Sequence, residues 1–312
     1  MRRFFIAALV LCLGVSAFAG TIDVPGKWLY AGESPVHRMY IVENGKVVWE
    51  YVDPDGRGEI SDAMLLDNGN ILMAHQHGIA EVSPEKKVVW RYAAPKGTEI
   101  HTVQPLGEDY IVYIQNDKPL GKVLVMRKAD HAIVHSFLLP VKQPASVHGQ
   151  FRCARLTPRG TYLVANMGLG FVAEYDWDGK ELTHIDFPGA WGVEILPDGL
   201  WLLTSNQCRV AEYTPQGKPV WSIDLNRNPE LGVRSGQKAY KLDDGNYLVG
   251  NWLNEWNRQE REARDADPEH APAQFVIVTP DGKKPGSKTS KTPCRRYDLQ
   301  KFRRTNAGTC FN

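Results

Sequence analysis

A short phrase recurs along the chain and constrains the fold more than any other feature. It stands at residues 44–49 (NGKVVW), 85–90 (EKKVVW) and 216–221 (QGKPVW), and weaker copies begin at Asp130, Asp178 and Asp281. The positions equivalent to the tryptophan are 49, 90, 135, 183 and 221, which are 41, 45, 48 and 38 residues apart. A period of about 40 residues with strand chemistry inside each unit is typical of the blades of a β-propeller.

One unit shows how a blade is built. Residues 60–66, 71–74, 79–82 and 87–92 are rich in apolar residues and are predicted to be four strands. The first hairpin turn is Asp67-Asn68-Gly69-Asn70, because Asn-Gly tolerates the positive φ that tight turns need. Four consecutive strands joined by short turns predict one antiparallel blade.

The whole chain predicts an all-β fold, a six-bladed propeller of four-stranded antiparallel blades, with seven blades as the alternative. The first unit, residues 28–51, lacks an opening strand, and the tail around Tyr297-Asp298-Leu299 is expected to supply it. Closure by amino- and carboxy-terminal strands removes exposed sheet edges. We expect a single domain at 20–312, with a helix-prone insertion at about 254–273 and a basic tail at about 283–312.

The first nineteen residues predict a secretory signal peptide. Arg2 and Arg3 precede an apolar run at 4–15, and Ala17-Phe18-Ala19 forms a small-x-small cleavage signal. The apolar run is too short to span a bilayer, and no other segment of the sequence is long and apolar enough. Cleavage near Ala19 implies a secreted or periplasmic protein.

Four cysteines remain after such cleavage: Cys153, Cys208, Cys294 and Cys310. An even number in an exported protein indicates disulfides, and four cysteines allow three pairings. Cys294 and Cys310 lie in the same tail, whereas Cys153 and Cys208 fall in consecutive repeats and would join neighbouring blades. Free buried thiols are the alternative.

The nearly equal numbers of basic and acidic residues limit the kinds of partner that the protein is expected to bind. The chain has 37 Lys plus Arg against 36 Asp plus Glu, which argues against a nucleic-acid binder. We expect a monomer that takes a small polar molecule, a glycan or a protein partner.

The repeat resembles two known groups of propellers. The Gly-Lys-x-x-Trp phrase looks like the tryptophan-docking repeat of bacterial quinoprotein-like (PQQ-type) propellers. Trp-Glu-Tyr followed by Leu-x-x-Gly-Asn-x-Leu is similar to the repeats of arylsulfotransferase-type six-bladed propellers. The resemblance covers Lys46 to about Gly282 and implies an inter-blade packing role for the tryptophan. It matches no catalytic motif, and the sequence supports neither the quinone cofactor nor the calcium of the PQQ group.

One face of the propeller is predicted to carry the binding site. Loops between second and third strands, and between blades, are longer and more varied than the other turns, and they meet at one mouth of the channel. The candidate ligand-binding residues there are His75, His77, Asn116, Asn166, Trp191, Asn206, Arg209, Gln237, Asn251 and Trp252. The asparagine that recurs after each second strand either stabilises a local turn or belongs to a ring of ligand-binding amides.

Two functions from different classes fit these residues. The first is a binding module that needs no catalytic group. The alternative is a group-transfer enzyme resembling arylsulfotransferases, in which His101 or His148 is nucleophile or base and Arg152 stabilises an oxyanion or sulfuryl group. Convergence of these three side chains would favour the enzyme. No metal is predicted, because two imidazoles without a placed carboxylate are weak evidence for a metal site.

Overall fold

The computed structural model describes residues 26–32, 36–44, 46–253, 258–266, 275–283 and 298–301, which form six small antiparallel sheets. Blade 1 contains β1 (Lys27–Ala31), β2 (His37–Glu43) and β3 (Lys46–Asp53), and blade 2 contains β4 (Ile60–Leu65), β5 (Ile71–His75), β6 (Gly78–Val82) and β7 (Val88–Ala93). Blade 3 contains β8 (Glu99–Leu106), β9 (Tyr110–Asn116), β10 (Gly121–Arg127) and β11 (Ile133–Leu139), and blade 4 contains β12 (Phe151–Leu156), β13 (Tyr162–Asn166), β14 (Phe171–Tyr175) and β15 (Glu181–Asp186). Blade 5 contains β16 (Ala190–Ile195), β17 (Trp201–Ser205), β18 (Arg209–Tyr213) and β19 (Pro219–Asp224). Blade 6 contains β20 (Gly236–Lys241), β21 (Tyr247–Asn251) and β22 (Phe275–Val278), and β23 (Asp298–Lys301) follows.

The ring closes as the sequence predicted. β23 pairs antiparallel with β1, with Trp28 opposite Lys301 and Ala31 opposite Asp298. It therefore provides the innermost strand of blade 1 and contacts β20 on one side and β4 on the other. The six inner strands β23, β4, β8, β12, β16 and β20 surround the central channel, and the six-bladed fold is confirmed over the seven-bladed alternative.

The recurring tryptophan position has a structural role in every described copy. Its side chain reaches a main-chain carbonyl in the next blade through the pairs Trp49–Pro84 (2.8 Å), Trp90–Lys128 (2.9 Å), His135–Trp177 (2.7 Å), Thr183–Pro215 (3.0 Å) and Trp221–Pro280 (2.8 Å). Tryptophan, histidine and threonine can all make this contact because each presents a polar atom at the edge of the outer strand. The repeat therefore joins neighbouring blades.

Apolar packing lies between blades. Each of six hydrophobic cores in the described residues combines side chains of two neighbouring blades, including the pair formed by blades 6 and 1. Cys153 belongs to the core between blades 4 and 5, and Cys208 belongs to the core between blades 5 and 6. Both are free and buried. The predicted Cys153–Cys208 bridge is therefore wrong, because blade 5 separates the two thiols. Cys294 and Cys310 lie outside the described residues.

The insertion in blade 6 contains α1 (Arg258–Ala266), within the stretch predicted to be helix-prone. Arg258 Nε donates to Glu262 Oε1 at 2.7 Å, a contact between successive helical turns. No helix in the described segments has the length and apolarity needed to cross a membrane. The predicted signal peptide at 1–19 lies outside the described residues.

Candidate functional site

The inner strands share an irregularity at the end of the channel where they begin, which we call the mouth. One residue at the start of each strand has no partner of its own on the second strand: Ser61 in β4, His101 in β8, Arg152 in β12 and Trp191 in β16. In β20 the residues Gln237 and Lys238 lie opposite a single residue. Such β-bulges redirect side chains and are frequent beside active sites. Five blades thus direct a bulged residue to one level of the channel.

Two bulged residues, His101 and Arg152, and three of their neighbours form a polar group that we call the mouth cluster: Glu59, Glu99, His101, His148 and Arg152. His101 is nearly inaccessible to solvent and lies between two carboxylates, with Nδ1 2.9 Å from Glu59 and Nε2 2.8 Å from Glu99. Arg152 Nη1 donates to Glu59 and lies 3.2 Å from His101 Nδ1. The convergence of His101, His148 and Arg152, on which the enzyme hypothesis depends, is therefore present.

Both carboxylates of the mouth cluster are ionised at neutral pH. Burial raises the pKa of Glu59, but the Arg152 charge and the hydrogen bond to His101 hold that pKa well below its usual range. Burial likewise raises the pKa of Glu99, while hydrogen bonds from His101, His148 and Gln76 outweigh it and lower the pKa. Ionised carboxylates only accept hydrogen bonds. Glu99 Oε2, which contacts both imidazoles, therefore requires a proton on His101 Nε2 and on His148 Nδ1.

His148 is the accessible member of the mouth cluster. It lies in a 3₁₀ turn, Val147–Gly149, in the connection between blades 3 and 4, and half of its side chain is exposed. Its Nδ1 donates to Glu99 at 2.8 Å, and Nε2 has no hydrogen-bond partner in the described part of the chain. A neutral imidazole held this way presents the Nε2 lone pair outward. His148 is therefore oriented to accept a proton or to attack an electrophile.

Arg152 retains hydrogen-bonding capacity although it is buried. Its guanidinium lies 4.6 Å from the centre of the Trp191 ring, and its Nε finds no hydrogen-bond partner among the described residues. Stacking on an aromatic face holds a guanidinium at a fixed place. Arg152 thus combines a fixed positive charge with an unused donor at the mouth.

A second polar group lies deeper in the channel. Asp62 accepts hydrogen bonds from Arg155 (2.8 and 2.9 Å), Lys238 (2.9 Å), Thr102 (3.0 Å) and the Val103 amide (3.3 Å). These residues come from blades 2, 3, 4 and 6, and the Asp62 side chain is inaccessible to solvent. Burial raises the pKa of Asp62, but the charges of Arg155 and Lys238 hold it well below its usual range. We call Asp62, Thr102, Arg155 and Lys238 the plug.

The recurring asparagines have main-chain partners. Asn116 donates to Val147 and Phe151 carbonyls, Asn166 donates to the Pro140 carbonyl, and Asn251 donates to the Gly232 carbonyl. Most of these carbonyls lie in connections between blades, 19 to 35 residues away from the asparagine. The amides therefore hold inter-blade connections against strand ends, and the local-turn interpretation stays a prediction. Asn206 contacts the Met167 sulfur at 3.7 Å. Ligand contact by the four amides stays a prediction.

His75 and His77 lie on the mouth face but are not members of the mouth cluster. The His75 ring packs on His37 with centroids 4.7 Å apart, and burial followed by the neighbouring histidines lowers the pKa of His75 to about 3. His77 is exposed in the following turn. Between them, Gln76 donates to Glu99 at 2.8 Å, so this loop supports the mouth cluster through its amide.

The other predicted residues lie around the mouth without joining the mouth cluster. Arg209 packs over Phe187 and donates to the Tyr213 hydroxyl at 3.0 Å. The Trp252 amide donates to the Ser235 carbonyl at 2.7 Å, and Gln237 is a half-buried bulged residue. Their roles in ligand binding stay predictions.

The donors of Glu59, His101 and His148 lie within 4.8 Å of one another, a spacing that a metal ion could use. The Arg152 guanidinium contacts both Glu59 and His101, however, and its charge disfavours a cation there.

Sequence reasoning missed Ser61, Arg155 and Lys238. Ser61 Oγ lies 3.0 Å from Glu59 and 2.8 Å from His101 Nδ1, so it belongs beside the mouth cluster. A signal was present: residues 59–61 (EIS), 99–101 (EIH) and 150–152 (QFR) place polar residues on both sides of an apolar one at the same point of three blades. Arg155 and Lys238 left no such signal.

Comparison with known structures supports the fold. A protein of unknown function from Bacteroides caccae is similar over 83% of this chain and 92% of its own, with a TM-score of 0.67 and 19% identity. A streptogramin B lyase covers 92% of this chain and 87% of its own (TM-score 0.54, 12% identity), and the WD40 β-propeller domain of Doa1 covers 72% and 71% (TM-score 0.54, 14% identity). Family models gave no match, and neither did curated proteins. At these identities the similarity shows the fold alone.

Proposed function

We propose that the protein binds a small polar molecule at the mouth and removes a proton from it, with His148 as the general base. The observation that carries this proposal is the Glu99–His148 pair: an ionised carboxylate fixes the proton on Nδ1 and leaves Nε2 open at a half-exposed position. The same pairing of carboxylate and imidazole orients general bases in unrelated enzymes.

The rest of the mouth cluster supplies what proton abstraction requires. As the substrate proton moves to His148 Nε2, the imidazolium is stabilised by Glu99 at 2.8 Å, and the electron pair left on the substrate needs a nearby positive charge. Arg152, held against Trp191, supplies that charge. His101 Nδ1 lies 2.9 Å from the acceptor Glu59 and 3.2 Å from the donor Arg152, so His101 holds these two side chains in place beside the proposed base.

Group transfer of the kind suggested by the arylsulfotransferase-like repeats would use the same His148 nitrogen as a nucleophile. It differs in leaving a covalent adduct on the imidazole, which mass spectrometry detects. The sequence at 1–19 supports export, so substrates are to be sought among extracellular or periplasmic compounds.

Hydrogen–deuterium exchange tests the base directly, because it reports removal of a proton whether or not the complete reaction follows. Small acids, esters and lactones are first screened for binding by thermal shift, and those that bind are incubated with the protein in D₂O. We expect the protein to catalyse exchange at an acidic C–H of a bound compound, and His148→Ala to lower that rate by about 10²–10⁴-fold.

His184→Ala is the matched control, because His184 is a partly exposed histidine paired with Glu181 on an outer strand. It should leave the rate unchanged. Glu99→Gln should also slow exchange, since the amide no longer stabilises the imidazolium. Compounds that bind without exchange, or exchange equally well with His148→Ala, would reduce the function to ligand binding.

A further inference from the structure

The fourth strand of each blade forms the outer edge of its sheet. β3, β7, β11, β15 and β19 each pair with their third strand and with no other strand in the described residues. Such an edge presents unpaired N–H and C=O groups that another chain can use, and proteins protect it with charged residues or proline. The five outer strands can therefore be compared for this protection.

Four of the five outer strands are protected. The protecting residues are Lys46, Glu50 and Asp53 in β3, Arg91 in β7, Glu181 and Asp186 in β15, and Pro219 and Asp224 in β19. β11 reads IVHSFLL and has neither a proline nor an acidic, lysine or arginine residue over its seven positions. Only blade 3 thus presents a long, uncharged fourth strand in the part of the chain that the structure describes.

Apolar side chains accompany this edge. Ile133, Val134 and Leu138 are 45%, 50% and 58% exposed. Beside them Trp177 of blade 4 is 39% exposed and stacks on His135 with ring centroids 3.9 Å apart. An exposed tryptophan held rigidly in place is the type of residue that contributes most binding energy in interfaces. β11 and Trp177 together are called the blade 3 edge.

We propose that the blade 3 edge is a dimer interface, in which β11 pairs antiparallel with β11 of a second copy of this chain. A two-fold axis places each strand opposite itself, so a charged residue near the axis would meet its own like charge. Among the outer strands that the structure describes, β11 has no such charge and, unlike β19, no proline that removes a donor from the edge. An edge without charges also carries no pattern that would select a different, charged partner.

The dimer is weak and reversible. One strand pair with a flanking tryptophan is smaller than a standard stable interface of about 1,600 Å². The monomer expected from the sequence stays a prediction, and the proposed dimer departs from it as concentration rises. No residue of the mouth cluster belongs to the blade 3 edge, so the dimer interface and the proposed catalysis can be tested independently of each other.

Sedimentation velocity of the full-length protein across micromolar to millimolar concentrations tests the interface. The unmodified protein should shift from monomer to dimer, and Val134→Lys should weaken association by at least about tenfold through like-charge repulsion. Trp177→Ala should weaken it as well. Val220→Lys is the matched control, because Val220 is 53% exposed at the equivalent place on β19.

Association retained by Val220→Lys and lost in Val134→Lys supports the proposal. A protein that stays monomeric up to millimolar concentration overturns it, and so does equal weakening by both lysine variants. Thermal unfolding followed by circular dichroism confirms that each variant is folded before its mass is measured.

Discussion

The plug and the mouth cluster occupy neighbouring levels of one channel and contain the same kinds of residue, but they differ in what they leave unused. Asp62 in the plug accepts five hydrogen bonds from Arg155, Lys238, Thr102 and Val103. In the mouth cluster Arg152 Nε and His148 Nε2 have no partner among the described residues. Unused hydrogen-bonding groups therefore distinguish the mouth cluster, where we propose that a ligand binds, from the plug, whose contacts join the blades.

Charge balance differs in the same way. In the plug, Asp62 and the nearby Glu194 match Arg155 and Lys238, two charges of each sign. In the mouth cluster, Glu59 and Glu99 face the single guanidinium of Arg152. The mouth cluster therefore has one more ionised carboxylate than guanidinium, whereas the charges around Asp62 are balanced.

The largest effect is expected from removing the centre of the plug. Asp62→Ala removes the buried carboxylate that Arg155 and Lys238 share, so two buried positive charges lose their common partner. This should lower the free energy of unfolding by about 3–5 kcal/mol. Urea denaturation measures the change. The exposed Asp178, in a turn of blade 4, is the control, and Asp178→Ala should stay within about 0.5 kcal/mol of the parent. A comparable loss of stability in both variants would show that Asp62 contributes no more to folding than an exposed aspartate does.

Acid should destabilise the plug. Because burial is outweighed by the Arg155 and Lys238 charges, the pKa of Asp62 in the folded protein lies below its unfolded value. Asp62 therefore stabilises the fold at pH above about 4, and this contribution is lost as pH falls further. Urea midpoints at about pH 5 and pH 3 should differ less for Asp62→Asn than for the parent. If the two urea midpoints differed as much in Asp62→Asn as in the parent protein, groups other than Asp62 would cause the acid sensitivity.

Two arginines three positions apart allow a direct comparison of the regions. Arg155→Ala removes two hydrogen bonds and one of the two positive charges from the fully buried Asp62, and should cost about 3–5 kcal/mol of stability. Arg152→Ala should cost less, about 1–3 kcal/mol, because His101 and Ser61 remain beside Glu59. Parallel urea titrations give both values. If Arg152→Ala were the more damaging change, the mouth cluster would be the structural group.

The smallest effect on stability is expected at His148. Half of its side chain is exposed, so His148→Ala should change the free energy of unfolding by no more than about 0.5 kcal/mol. The same variant should lose the proton exchange proposed above. A marked loss of stability in this variant would place His148 among the structural residues and remove the distinction between the two regions.

The sequence predicted the fold because its information is local and repeated. Turn signals such as Asn68-Gly69 and the position of Trp49, Trp90 and Trp221 recur at a fixed period, and the structure places each in an equivalent hairpin or inter-blade contact. The missing first strand of blade 1 likewise predicted closure by the tail. Periodicity fixed the strands and their order.

The site was predictable only in part. His101, Arg152 and Trp191 were recognised as residues at strand starts, but the β-bulges that turn them to a common level depend on strand pairing across each blade. The plug joins Asp62 to Lys238 across 176 positions of sequence, and nothing local marks that contact. Cys153 and Cys208 were paired wrongly for the same reason: their positions in neighbouring repeats do not reveal that they lie on opposite sides of a sheet.

The position of the plug affects how a small molecule could enter and leave the central channel. Asp62 links blades 2, 4 and 6 across the channel, and its side chain is sealed from solvent. Under the proposed function, a molecule bound at the mouth would have this buried group beneath it and would leave through the same opening by which it entered. Product and fresh substrate would then use the same opening, so the product would have to leave before the next substrate could bind.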